Sequence, residues 1–477
     1  MIGRSWLAAF SWVVAVVVLS SCSDQRSLHP LEPGDEFVIL TRNSPTTYYF
    51  DGDEPTGFEY ELAAAYAQSR GLSLRIKVAF TLEELIAMLS AGEGHIAAAG
   101  LRLTPERAAK FTATDSYLAQ QPLIIYKSGS RRPRDLTELM GRDIVVLAGS
   151  SHVERLATLR EELPDLTWRE IRAADTLELM KLVTEEKAEL AIIDSVEFQV
   201  QQQLFPRLVA ALELDTESGI AWYLPNLPGA AEFQADLNTF LRESEQNGAL
   251  TTLKDKHFGS IEFASRISSF TFQRKVREDL PTWRPLIEAV AREYQMDWRL
   301  LAAVAYQESH WNPRAKSPTG VRGMMMITRS TAEELGVTNR LDPKESLRGG
   351  ARFLKNLSRR LPTDIEEPDR TWLALAAYNI GMGHLEDARR ITERSGLDPH
   401  RWQDVREHLP DLQNPDIYPT TRYGFARGKE AVTYVDNIRH YFSALQLTAM
   451  PNNRIQPPLD MRKLLSDSAL PSLPLAL

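Results

Sequence analysis

A single cysteine among 477 residues excludes several chemistries at once. An internal disulfide needs two sulfurs, and a four-cysteine zinc site or an iron–sulfur cluster needs still more from one chain. Histidine is sparse as well. The nine present are scattered, and none forms the i, i+4 pair with a glutamate between that marks a helical zinc site. No metal and no cofactor is therefore expected. Long basic runs with interleaved aromatics are missing and the formal net charge is −9, which excludes a nucleic-acid partner. An apolar run long enough to cross a bilayer is missing too: residues 6–19 make 14, against the ~20 that a spanning helix needs.

What is present is length. A chain of 477 residues, 43% hydrophobic and 25% charged, is globular, and it exceeds the ~250–300 residues at which single cores stop growing. Residues 1–21 carry one charged side chain, Arg4, then the apolar run, then Ser20 and Ser21, which is the profile of a signal peptide. Cys22 stands at the cleavage position, and Leu19-Ser20-Ser21-Cys22 resembles the lipobox of bacterial lipoproteins. That resemblance implies an acylated Cys22 as the mature N-terminus, and two or more acyl chains anchor stably where one does not. Ser23, in place of the Asp that favours inner-membrane retention, implies the periplasmic face of the outer membrane of a Gram-negative cell. A spare buried cysteine and a retained anchor are the other readings of these residues. Cleavage removes Arg4 and no acid, so the net charge moves from −9 to −10.

Residues 22–35 are polar and proline-containing, as a tether is. Between 36 and 259, apolar β-branched runs at 37–40, 72–78, 96–99, 123–126, 144–147 and 190–193 alternate with helical spacing at 58–70, 82–90 and 176–186. This alternation predicts an α/β region with largely parallel sheets. A linker is expected over 260–281. From 282 to 447 helix follows helix, with Trp283, Leu286, Ile287, Val290 and Tyr294 at 3.6-residue spacing. Residues 448–477 hold five prolines and no sustained period, as a loosely ordered tail does.

Three motifs follow one another in the first region: Gly57-Phe58-Glu59-Tyr60-Glu61-Leu62, then Gly100-Leu101-Arg102-Leu103-Thr104-Pro105-Glu106-Arg107, then Gly149-Ser150-Ser151 ahead of a helix. Together they resemble the type 3, amino-acid family of periplasmic solute-binding proteins across 36–259. That family folds as two α/β lobes around a cleft. The Arg107 guanidinium is a planar fork that can grip a carboxylate. Backbone N–H groups at Gly149, Ser150 and Ser151 can receive the same anion at a helix N-terminus. Asp194, directly after a strand, lies where an acceptor for an ammonium group belongs. An amino acid or a muropeptide is the implied ligand, in a non-catalytic domain for which a regulatory role is one expectation. The same residues also fit a surface pair of Arg107 with Asp115 and a capping box of Asp194 with Glu197.

In the helical region Leu301, Val304 and Ala305 mark an apolar face, and Glu308 follows them at i+7, i+4 and i+3. Asn312-Pro313 should end this helix close to Trp311, because the residue before proline is biased away from the α conformation. Glu308 thus lies in the last turn, where the negative end of the helix dipole adds to desolvation in raising its pKa. Such a group suits general acid catalysis near neutral pH.

Four motifs run in order: Glu308-Ser-x-aromatic-Asn-Pro-x-Ala-x-Ser317, Gly320-x-x-Gly323, Ala377-Tyr378-Asn379-x-Gly381-x-Gly383, and Glu430-x-x-x-Tyr434-Val435. They resemble the soluble-lytic-transglycosylase, goose-lysozyme-like catalytic domain over about 282–442. The whole chain is thus expected to be multidomain: a two-lobed α/β periplasmic-binding-protein-like domain followed by an all-α lysozyme-like domain. The resemblance implies an enzyme that cleaves the β-1,4 bond between N-acetylmuramic acid and N-acetylglucosamine in peptidoglycan without water, leaving 1,6-anhydro products. Glu308 is implied as acid and then base. Ser317 is implied near the acetamido group, or is simply a loop serine. Tyr378 and Asn379 are implied in sugar contact and in holding Glu308, while Tyr434 and Glu430 belong to the late motif. Met326 stands where relatives have Gln and is kept as a substrate-binding candidate. A glycan-binding lipoprotein without catalysis and a lysozyme-type hydrolase are the alternatives.

Overall fold

The computed structural model describes residues 27–449 apart from His29, Ala174, Thr216, 260–265 and 318–319. The leader, Cys22 and the tail from 450 lie outside the described residues. The expected tether is not free over its whole length. Leu28 is buried and its N–H donates to the Pro228 carbonyl at 2.8 Å, so the chain docks on the first domain from there.

The α/β region has two lobes, each with a five-stranded sheet. In the first, strand Glu36–Arg42 runs parallel to both Ser73–Ala79 and Ile96–Ala97, and Tyr223–Leu224 and Thr112–Ala113 complete the sheet. In the second the order is Arg169–Ile171, Ile144–Leu147, Leu190–Asp194, Pro122–Lys127, Leu208–Glu213. Ile39, Leu40, Val145 and Ile192 are fully buried, which explains why these strands read as continuous apolar runs. Helix Phe58–Arg70 stops at Gly71 in the left-handed conformation, as the sequence predicts.

The sheets are mixed rather than largely parallel. Pro122–Lys127 is antiparallel to both its neighbours, and so is Tyr223–Leu224. The reason is the connection between lobes. Strands Leu118–Gln120 and Ser218–Ile220 pair antiparallel, carrying the chain into the second lobe and back. Each odd strand is entered straight from one of these hinge strands, and antiparallel neighbours need no helical crossover.

The helical domain begins earlier than expected. Helix Arg266–Glu278 occupies most of the expected linker, and Phe272 is fully buried against Tyr306 and Tyr441. Most of its residues are polar or charged, RISSFTFQRKVRE, which hides its large buried anchor from a search for apolar runs. Helices Leu280–Tyr294, Trp298–Ser309, Pro343–Arg360, Asp369–Ile380, Met382–Arg394 and Gly428–Ala449 share one core with it. Gly428–Ala449 packs along Trp298–Ser309 and also meets both lobes of the first domain. Arg439 pairs with Asp255 at 2.8 Å, Gln446 donates to Asp51 at 3.2 Å, and Gln203 donates to Ser443 at 3.4 Å. Arg299 joins Asp51 and Asp297 beside a junction cavity of about 590 Å³.

Candidate active site

Helix Trp298–Ser309 starts at Asp297, whose carboxylate accepts the Arg299 N–H at 2.8 Å, and it buries Leu301 through Tyr306 almost completely. It ends two residues before the point that Pro313 suggests. His310 and Trp311 both adopt positive φ, 54° and 59°, and the buried indole of Trp311 donates to the Ala302 carbonyl at 2.8 Å. Burying that ring turns the chain back over its own helix and leaves Glu308 in the final turn.

Glu308 is half-buried, and burial pushes its carboxyl up to about 7. The opposing influence is one hydrogen bond: the Tyr434 hydroxyl donates to Glu308 Oε1 at 2.5 Å. Burial, then the Glu308 charge, hold the Tyr434 phenol well above its ordinary range, so it stays a donor. Tyr434 stacks on Tyr378 with ring centroids 6.4 Å apart and planes 13° apart. The Tyr378 hydroxyl donates to the Met325 carbonyl at 3.1 Å, so it braces the neighbouring turn, and Tyr434 is the residue that holds the acid.

That turn is built from Gly323 to Met326. Gly323 has φ 87°, and a Cβ there would stand 1.8 Å from the Arg340 carbonyl oxygen, so only glycine fits. Ser309 donates to the Met324 carbonyl at 2.8 Å, tying the turn to the end of the Glu308 helix. Met324 and Met325 are fully buried, whereas Met326 is half-buried with φ 44°. A left-handed non-glycine residue is the kind of strain that gathers at functional sites. Ser317 accepts the Val321 N–H at 3.2 Å through its hydroxyl, shaping the loop ahead of this turn. Asn379 is exposed near the end of Asp369–Ile380 and has no side-chain hydrogen bond among the described residues. Glu430 is exposed and pairs with Arg427 at 3.4 Å, one helical turn before Tyr434.

The first domain gathers its candidates as well. Arg107, Ser150, Ser151 and Asp194 line one cavity of about 20 Å³ between the lobes, room for about one water. Arg107 is buried and donates to the Arg102 carbonyl at 3.2 Å, while Asp115 pairs with Arg242 instead. Asp194 precedes helix Ser195–Gln202 without capping it. Burial pushes its carboxyl up, but His152 at 3.4 Å and Arg102 at 3.9 Å outweigh that and hold it below the usual range. Arg42 of the first lobe pairs with Glu197 of the second. The sequence reading did not assign Arg42 or His152 to the site and gave Glu197 only as a capping partner of Asp194; Arg42 stands more than 50 residues from the other candidates, too far for a local signal. Ser150 Oγ and Asp194 Oδ1 are buried without hydrogen-bond partners among the described residues.

The model of the transglycosylase SLT domain matches residues 285–399, and that of the bacterial extracellular solute-binding proteins, family 3, matches 37–260. An ancestral arginine-binding protein bound to arginine superposes with a TM-score of 0.42 at 18% identity, covering 47% of this chain and 98% of that one. Membrane-bound lytic murein transglycosylase F of Ectopseudomonas mendocina is 42% identical over 91% of this chain and 90% of its own length. The protein of that name from Saccharophagus degradans is 39% identical over 95% of this chain and 91% of its own. The chain belongs to the membrane-bound lytic murein transglycosylase F family.

Proposed function

We propose that Glu308 alone carries the chemistry of this lytic murein transglycosylase. Protonated, it gives its proton to the oxygen between N-acetylmuramic acid and N-acetylglucosamine as the C1–O bond breaks. The muramyl acetamido oxygen supports C1. The carboxylate then takes the proton of the C6 hydroxyl while O6 bonds to C1, closing a 1,6-anhydro ring and restoring the acid. One group serving in both directions needs a pKa near the working pH, and a carboxyl pushed up to about 7 meets that need. That single observation carries the reading. Ordinary glycosidases need two carboxyl groups. Here the influences on Glu308 are burial and a neutral tyrosine, with no second carboxylate among them. Met326, Ser317, Asn379 and Tyr378 supply sugar contacts around it.

Digestion of purified murein by the wild type and by Glu308→Gln tests this. Anhydro-muropeptides from the wild type alone are expected; undiminished release by the variant removes Glu308 from the mechanism, and reducing-end products would make the enzyme a hydrolase. Cys22 lipidated at the outer membrane is the proposed anchor, with Cys22→Ala expected to release active protein into the soluble periplasm. The proposed ligand of the first domain is an amino acid or muropeptide whose carboxylate meets Arg107, Ser150 and Ser151. It enters by opening a cleft that Arg42, Glu197, Arg102 and Asp194 now fill.

A further inference from the structure

Among the described residues the two most exposed large hydrophobic side chains are Phe425, at 54%, and Tyr423, at 51%. Single exposed apolar residues need no explanation. These two are separated by one glycine on the segment that leads into helix Gly428–Ala449, seven and five residues ahead of Glu430 in Glu430-x-x-x-Tyr434. They are also held in place. The buried carboxylate of Asp387 accepts both the Tyr423 N–H at 2.7 Å and the Arg422 N–H at 3.2 Å. Gly424 takes φ 74° and donates to Thr421 Oγ1 at 3.1 Å. The Tyr423 ring lies so close over Gly383 that a Cβ there would come within 2.9 Å of it. Gly383 ends the motif that begins with Ala377-Tyr378 and stands five residues after Tyr378 in the chain. Asp387 thus holds the backbone that carries Tyr423, the Phe425 ring meets Tyr418 edge-on with centroids 5.7 Å apart, and the Arg422 guanidinium lies 5.5 Å from the Tyr423 centroid, so the contact surface is ordered in advance.

Charge narrows the occupant. Although the chain is acidic overall, no acid occurs between 417 and 429, where Arg422, Arg427 and Lys429 are exposed. Murein strands present apolar faces of pyranose rings and, on their stem peptides, carboxylates.

We propose that Tyr423 and Phe425 form a stacking platform for sugar rings of the murein strand outside the scissile pair, with Arg422, Arg427 and Lys429 meeting stem-peptide carboxylates. The platform lengthens the stretch of strand gripped by the enzyme and so favours polymer over short fragments. It rests on the reading of the active site given above.

The test is binding of the full-length chain to purified sacculi by co-sedimentation, in a Glu308→Gln background so that the sacculi survive. The Tyr423→Ala/Phe425→Ala double variant is expected to bind about five- to tenfold more weakly, while Tyr423→Trp/Phe425→Tyr restores binding. Tyr423→Leu/Phe425→Leu, which keeps bulk over Gly383, reports loss of stacking if the alanine variant is unstable. Binding by the alanine and leucine variants within twofold of the parent overturns the proposal. Sacculi stripped of stem peptides should retain the aromatic dependence; its disappearance there would make the platform a peptide reader and overturn sugar stacking. Failure of the active-site reading would show separately, as absence of anhydro products from the enzyme with Glu308 intact.

Discussion

The Tyr434 hydroxyl donates to Glu308 Oε1 across 126 residues of sequence, at 2.5 Å, and it is the one polar influence opposing the burial of that carboxyl. A donor to a carboxylate stabilises the charged form, so Tyr434→Phe should raise the Glu308 pKa above about 7. The limb of the pH–rate profile on which Glu308 loses its proton is then expected to move to higher pH, with kcat reduced. A limb that moves to lower pH, or stays, would show that the hydroxyl does not stabilise the carboxylate.

Stability should carry the same signature. The folded value of about 7 lies above the unfolded value of ~4.3, so the folded state holds the proton more tightly and loses stability as pH rises through that window. Glu308→Gln cannot ionise. It should match the wild type near pH 4 and exceed it at pH 8 by about 1–3 kcal/mol, allowing for the partial exposure of the group. Urea denaturation at the two pH values measures this.

Gly323→Ala is expected to cost at least ~2 kcal/mol, because it combines positive φ with a clash against the Arg340 carbonyl. Activity should fall further than stability, since the displaced turn holds Met326 and receives the hydrogen bonds of Ser309 and Tyr378. Thermal denaturation and murein digestion on one preparation check both parts.

The pair between Arg42 and Glu197 is buried on both sides and joins the two lobes. Glu197→Leu strands a buried guanidinium and should cost about 3–5 kcal/mol. Arg42→Met together with Glu197→Leu should recover most of it. A double variant no more stable than the single one would mean the pair is not the main partner of either charge.

Glu308 was legible because its environment is local: Leu301, Val304 and Ala305 sit within two turns and fix the face it occupies. The premature end of its helix was not, since the cause is the Trp311 indole folding back onto Ala302 and not the backbone rule that Pro313 imposes. Tyr434 could be placed in a motif but not over Glu308, for a contact between distant helices leaves no periodic trace. The cleft between the lobes shows the same limit. Arg107, Ser150, Ser151 and Asp194 were singled out by position, yet the meeting of Asp194 with Arg102 and His152 depends on how two lobes close. The strand pairings around the hinge likewise depend on a second crossing some 100 residues after the first.

The helix Gly428–Ala449 is the last described element of the chain, and it brings the hydroxyl that holds the acid. The two groups of that contact lie 126 residues apart, so a chain cut short anywhere between them keeps Glu308 and lacks the hydroxyl that favours its charged form.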